Sequence, residues 1–279
     1  MSGRILIFGA SGQVGRFLLP RLAAAGLDVT AVSRHAQPAQ AGVVWRRGEF
    51  ASVTAEPQWN AVVSLGPLDA FARWYAAAGK PPARVVAMSS MSAEFRRDSA
   101  DPVERAVAQR LLDAEHVLLD RAASACLLRG TLHYGAARDK SLTPLARWAR
   151  RTRVFPRLAA AGLRQPVHAD DLALACVAAL QRVGSASQVL PLGGAERLSF
   201  GLLLERVRAS LGFATVPLPL PRGPLEWILP RRYRGSLARL ERDLVADNTA
   251  VQAALGVTPR PFSPTPACWF GAALPPRAG

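Results

Sequence analysis

Short aliphatic and β-branched runs alternate with longer stretches of helical period through the first half of the chain, a pattern that predicts a parallel sheet wrapped by helices. Strands are expected at Arg4 to Phe8, Val29 to Val32, Ala61 to Ser64, Arg84 to Met88 and Ala125 to Leu128. Helices are expected at Gln13 to Ala25, Leu68 to Ala78 and Pro102 to Ala122, the last opened by Asp101 as cap with Pro102 in its first position. Beyond Gly130 the pattern loosens. A helix over Leu142 to Arg151 is followed by one over Leu172 to Gln181 capped by Asp170 or Asp171, a short strand at Gln188 to Leu192 and a helix over Phe200 to Leu211. Pro217, Pro219, Pro221, Pro224 and Pro230 then make a stretch too proline-rich for regular structure.

Between the apolar strand Ile5 to Phe8 and the first helix lies Gly9-Ala10-Ser11-Gly12-Gln13-Val14-Gly15. A glycine-rich turn in this context lets backbone approach a pyrophosphate, whose charge the amides and dipole of the helix N-terminus favour. With right-handed crossovers the expected fold class is α/β: a Rossmann-type doubly wound parallel sheet over residues 1–190, with a smaller, mostly helical C-terminal lobe over residues 191–279. An NAD site usually has an acidic residue at the carboxyl end of the second strand, but here Ser33-Arg34 stands there, and Asp28 precedes the strand at the opposite edge. An arginine in that place attracts a 2′-phosphate, so NADP(H) is expected as cofactor ahead of NAD(H); the other reading of Arg34 is an ordinary surface arginine.

The formal net charge of +15 admits nucleic acid, an anionic membrane surface or a phosphorylated ligand. Only Lys80 and Lys140 are lysines, so the excess is arginine spread along the chain, and without a compact basic and aromatic motif nucleic acid is not an expected partner. Two denser segments, Arg147 to Arg153 around Trp148 and Arg231-Arg232-Tyr233-Arg234 after Leu225 to Leu229, leave peripheral membrane contact open, although core packing accounts for the same tryptophans. Cys126, Cys176 and Cys268 share no metal-type spacing with any histidine, so neither a metal nor a disulfide framework is expected, and buried thiols are. The absence of a long uncharged apolar run, and an N-terminus leading directly into a strand, point to a cytoplasmic protein without a transmembrane segment.

In order along the chain, the glycine turn, Ser64-Leu65-Gly66, Met88-Ser89-Ser90, Leu128-Arg129-Gly130 through Tyr134-Gly135, Pro166-Val167-His168-Ala169-Asp170-Asp171 and the closing Ala246-Asp247-Asn248 to Pro259 resemble the extended or atypical short-chain dehydrogenase/reductases. That superfamily holds the sugar-nucleotide epimerases and dehydratases. The cofactor contacts expected on this footing are Gly9, Ser11, Gly12, Gln13, Val14, Gly15, Ser33, Arg34, Glu49, Leu65, Gly66, Ser89 and Gly130. Glu49 would reach adenine after Gly48, Leu65 and Gly66 the adenosine ribose, and Gly130 the nicotinamide, each with loop geometry as the alternative. The resemblance also implies an anionic small-molecule substrate, held through its phosphates by arginines of the second lobe, and a homodimer through the helix Pro102 to Ala122.

It breaks at the catalytic pair. The family's chemistry needs a tyrosine whose pKa is lowered by a lysine four residues on, together with a serine or threonine. No Tyr-x-x-x-Lys exists here: Val107 and Leu111, or their neighbours, stand in those places, and Met91 takes that of the serine, between Ser90 and Ser92. Ser90, Ser92 and Tyr134, with His133 and Arg110, are the residues left to form a substitute, against the reading that all are structural. Two functions therefore stand side by side: an epimerase, dehydratase or reductase of a phosphorylated or nucleotide-linked substrate working by a non-standard mechanism, and a non-catalytic dinucleotide-binding sensor or assembly protein.

Overall fold

The computed structural model describes residues 3–54, 59–79, 81–158, 160–182, 186–220 and 240–271. Its centre is a seven-stranded, all-parallel sheet of β1 (Arg4–Phe8), β2 (Asp28–Ser33), β3 (Val43–Arg47), β4 (Ala61–Ser64), β5 (Arg84–Ser90), β6 (Ser124–Gly130) and β11 (Gln188–Leu192), in the order β11-β6-β5-β4-β1-β2-β3. Both faces are covered, which is why these strands read as apolar runs and not as alternating patterns. Ile5 and Ile7 face one core with α1 (Gly15–Ala24), α6 (Ala169–Gln181) and α8 (Thr249–Leu255); Leu6 and Phe8 face another with α2 (Leu68–Ala77) and α4 (Pro102–Arg121). The doubly wound sheet is thus as the sequence predicts, with one strand added. β3 is an edge strand whose Val-Val-Trp-Arg-Arg run is only half buried, so it carries little of the apolar signature of its neighbours.

A third core gathers Tyr134, Leu142, Phe155, Leu203, Phe262 and Trp269. It unites β7 (His133–Tyr134), α5 (Leu142–Thr152) and β8 (Val154–Arg157) with α7 (Phe200–Ala209) and α9 (Pro266–Phe270), drawing on chain from both sides of residue 190. The minor strands β9 (Leu163–Arg164), β10 (Val167–His168), β12 (Leu198–Ser199) and β13 (Val216–Pro219) pair in twos, β10 with β7, β12 with β9 and β13 with β8. Short α3 (Ser92–Phe95) leads from β5 toward α4. β13 lies inside the stretch expected to be irregular, because its prolines sit on a two-stranded ribbon where no ladder amide is needed from them. Pro221, Pro224 and Pro230 lie outside the described residues.

Polar clasps hold the last part of the chain. Arg260 bonds both Asp170 and Asp171, at 2.7–3.0 Å, and Arg21 of α1 meets Asp170 at 2.7 Å. The aspartates therefore do not cap α6 as expected; His168 does, its Nδ1 accepting from the Asp170 amide at 3.1 Å. Asn248 accepts from the Gly193 amide and donates to the Gly194 carbonyl, at 2.9 and 3.0 Å, which seats the Ala246-Asp247-Asn248 motif against the end of β11.

One ion pair lies deep in the sheet. Glu115 of α4, its side chain 3% exposed, meets Arg129 of β6 at 2.5 Å and accepts from Ser89 of β5, also at 2.5 Å; Arg129 reaches on to Glu94. Hydrogen bonding to Glu115 raises the Arg129 pKa, so its charge is permanent. Removing one member of a buried pair strands the other's charge, so Arg129→Leu should cost about 3–5 kcal/mol of stability in urea denaturation. A loss below about 1 kcal/mol would show that Glu115 is satisfied without it.

Candidate functional site

Strand order reverses between β1 and β4, and in open α/β sheets the crevice beyond the carboxyl ends at such a point is where ligands are received. At Gly9 the chain leaves β1 with φ +73°, a left-handed conformation, and a Cβ there would stand 2.9 Å from the Leu65 carbonyl carbon and the Gly66 nitrogen. The turn closes with the Gly12 amide on the Gly9 carbonyl at 2.9 Å, and α1 starts at Gly15. Around it opens a cleft of about 530 Å³.

Of the expected cofactor contacts, the structure brings Gly9, Ser11, Gly12, Ser33, Arg34, Glu49, Leu65 and Gly66 together on the walls of this cleft. They come from four separate loops at the ends of β1, β2, β3 and β4. Arg34 is exposed just past the end of β2, while Asp28 pairs with Arg4 at the far end of the same strand. Gln13, Val14 and Gly15 lie behind the turn, Val14 with its side chain in the core. Sequence reasoning missed Phe50, Pro67, Ala70 and Lys140 on the walls. Phe50 follows directly on Glu49 and packs against Phe8 at 4.5 Å between ring centroids, so the adjacent residue was the available signal; Lys140 comes from far along the chain, between β7 and α5, and had none.

Ser89 and Gly130, the remaining expected contacts, stand apart from the cleft walls at the ends of β5 and β6. Ser89 is committed to Glu115. Of the expected catalytic residues, Ser90 accepts from the Ser92 amide at 3.1 Å, so these two are together at the β5–α3 corner. Met91 between them is buried, its amide on the Gly130 carbonyl at 3.0 Å. Leu111, in the lysine's place, packs against the core beneath α2 and α4. The sequence holds no Tyr-x-x-x-Lys.

Tyr134 is not gathered with the serines. Its ring is 1% exposed, among His168, Phe262 and Trp269 at 4.8–6.1 Å between centroids, and burial raises its pKa above the ordinary phenol range. The phenol is packed in the third core. Its neighbour His133 presses Nε2 against the Cα of Gly130, where a Cβ would collide with it. The absence of a side chain at 130 is thus what admits the imidazole.

The arginines of α5 are partly engaged. Arg150 lies over Phe270 and Arg153 over Phe213, both at 4.7 Å, and Arg147 donates to the Ala137 carbonyl at 2.8 Å, while Trp148 is 42% exposed. The segments Leu225 to Leu229 and Arg231 to Arg234 lie outside the described residues. All three cysteines are buried free thiols, and burial pushes Cys126 up to about 12. Among the described residues no helix is long and apolar enough to cross a membrane, and no three histidine, cysteine or carboxylate side chains gather as metal ligands.

His133 Nε2 is buried without a hydrogen-bond partner among the described residues, and burial holds the ring at about pKa 4 against the opposing charge of Asp139. The folded value lies below the ordinary 6.5, so the unfolded chain binds the proton first: stability is full above about pH 6.5 and falls as pH drops toward 4. At about 1.4 kcal/mol per unit the loss approaches about 3 kcal/mol. Urea denaturation from pH 7.5 to 4.5 should show this slope, reduced in His133→Gln; an equal slope in both proteins would assign it elsewhere.

Residues 5–93 match the model of the NAD dependent epimerase/dehydratase family. No curated protein sequence matches the chain. Among solved structures it is similar to MoeE5 in complex with UDP-glucuronic acid and NAD, at 20% identity and TM-score 0.69, over 93% of this chain and 94% of that one. It is similar also to TunA, an NAD-dependent NDP-hexosamine 5,6-dehydratase of tunicamycin biosynthesis, at 17% identity and TM-score 0.72 over 97% and 98% of the two chains. The Bordetella bronchiseptica enzyme WbmG in complex with NAD gives 14% identity and TM-score 0.69, over 97% and 96%. The first strands and turn thus match the NAD dependent epimerase/dehydratase family model, and the chain shares its Rossmann-type fold with these structures over nearly its whole length.

Proposed function

We propose that this chain binds a nicotinamide dinucleotide in the cleft at the β1–β4 switch point and presents it to a phosphorylated or nucleotide-linked small molecule. The observation that carries the reading is the convergence of Gly9, Ser11, Gly12, Ser33, Arg34, Glu49, Leu65 and Gly66 on one cleft. The residues fit the group: the glycine turn leaves room for a pyrophosphate, Leu65–Gly66 for a ribose, and Phe50 an aromatic wall for an adenine. Bound there, a nicotinamide supplies or accepts hydride. The solved relatives MoeE5 and WbmG carry NAD, and MoeE5 carries UDP-glucuronic acid beside it. In this chain Arg34, at the end of β2, supports a preference for the 2′-phosphorylated form.

A second reading has its own observation. Met91 is buried, Leu111 is half-buried against the core and Tyr134 is sealed from solvent, and on this reading a bound dinucleotide acts as a ligand that holds one conformation for a partner to read.

Nicotinamide fluorescence and absorbance address both readings in one experiment. Arg34→Asp should lower the NADPH/NADH affinity ratio by about 10- to 100-fold, the worth of a charged hydrogen bond. An unchanged ratio would remove Arg34 from the site. If added nucleotide sugars change the absorbance of bound NADP(H), or are themselves interconverted, the chain is an enzyme; if neither happens across the panel, the second reading stands.

A further inference from the structure

Lys140 belongs to a segment that reaches the cleft from the third core, far along the chain from the four loops that form the other walls. Residues 136–141 are pinned on every side. The Ala137 amide donates to the Cys268 carbonyl and its own carbonyl accepts from Arg147, both at 2.8 Å, with Ala137 in the left-handed region at φ 55°. Asp139 turns its carboxylate onto the start of α5, accepting from the Leu142 and Thr143 amides at 2.6 and 3.0 Å. Arg138 crosses to the glycine turn itself and donates to the Ser11 carbonyl. Two residues on, Lys140 is exposed on the cleft wall, with no ion-pair partner among the described residues.

We propose that segment 136–141 is the second wall of the dinucleotide site, and that Lys140 is the cation on it that pairs with a phosphate of the bound dinucleotide. The inference rests on the reading of the cleft given above. Ser11 Oγ lies 3.5 Å from Ser33 Oγ, so an arm tied to Ser11 stands over the part of the cleft between the glycine turn and Arg34. A pyrophosphate held on the turn and a 2′-phosphate held by Arg34 are the two anions within that part, and both present the same chemistry to an ammonium group. Glu49 is the carboxylate on the walls, opposed by Arg34 and Lys140, so the cleft as lined is net cationic. Lysine suits the task as a point charge on a flexible stem, reaching a phosphate without the planar fit a guanidinium requires. In a chain whose other lysine is Lys80, a lysine at this spot departs from the prevailing arginine.

The test is titration of the full chain with NADPH and with NADH, followed by nicotinamide fluorescence, for the wild type, Lys140→Ala and Lys140→Arg. Lys140→Ala should weaken binding by about tenfold, with Lys140→Arg recovering part of the loss. A loss confined to NADPH places the ammonium on the 2′-phosphate, and an equal loss for both places it on the pyrophosphate. Wild-type binding left unchanged in Lys140→Ala overturns this inference alone, whereas a wild type that binds neither nucleotide overturns the reading of the cleft and this inference with it. Acylation of lysine amines with peptide mass mapping gives an independent readout: NADPH should protect Lys140, and undiminished labelling at saturating NADPH contradicts the proposal.

Discussion

Where β1 ends, the backbone turns left-handed at Gly9 and passes the Leu65–Gly66 peptide at a distance no side chain could occupy. That approach brings the ends of β1 and β4 close enough to share one cleft, at the point where the sheet changes direction. The rest of the site follows from it. The turn aims α1 and its amides into the opening, β2 and β3 deliver Arg34 and Glu49 to one side, and Phe50 closes the other against Phe8. The segment between β7 and α5 then holds the turn through Arg138, so the glycine loop is tied both to the sheet and to the third core.

Farther along the strand ends the same fold is furnished differently. Ser89, Glu115, Arg129 and Glu94 form a continuous polar chain linking β5, β6, α4 and α3. Its groups satisfy one another, and it spends the polar side chains of this corner on structure. Met91 is buried beside it, Leu111 stands one turn before Glu115 on α4, Tyr134 is sealed in the third core, and the imidazole of His133 fills the space over Gly130. Binding a dinucleotide and moving protons are separable demands, and the cleft at the glycine turn bears on the first.

Much of this was legible in the sequence because apolar content alone specifies a strand buried on both faces: β1 and β4 span the residues their aliphatic runs predict. β3 was not, because an edge strand ending in two arginines lacks that signature. The glycine turn and the residues at the ends of β2 and β4 could be placed because each directly follows its strand, whereas Glu49 was named without the strand that carries it. Lys140 and Arg138 could not, since their position depends on a loop pinned by Cys268 and Arg147, contacts that only the folded chain makes. The same holds for Asp170 and Asp171, which local pattern assigns to a helix cap and tertiary structure gives to Arg260.

The central claim is that the cleft binds a dinucleotide, and calorimetric titration of the purified protein with NADPH, NADP, NADH and NAD, with Gly12→Asp as control, tests it most directly. Saturable binding of at least one of the four, lost when a carboxylate is set on the turn while the variant keeps its wild-type circular dichroism, is the result expected. Heats indistinguishable from dilution for all four, or binding that survives Gly12→Asp intact, would contradict it.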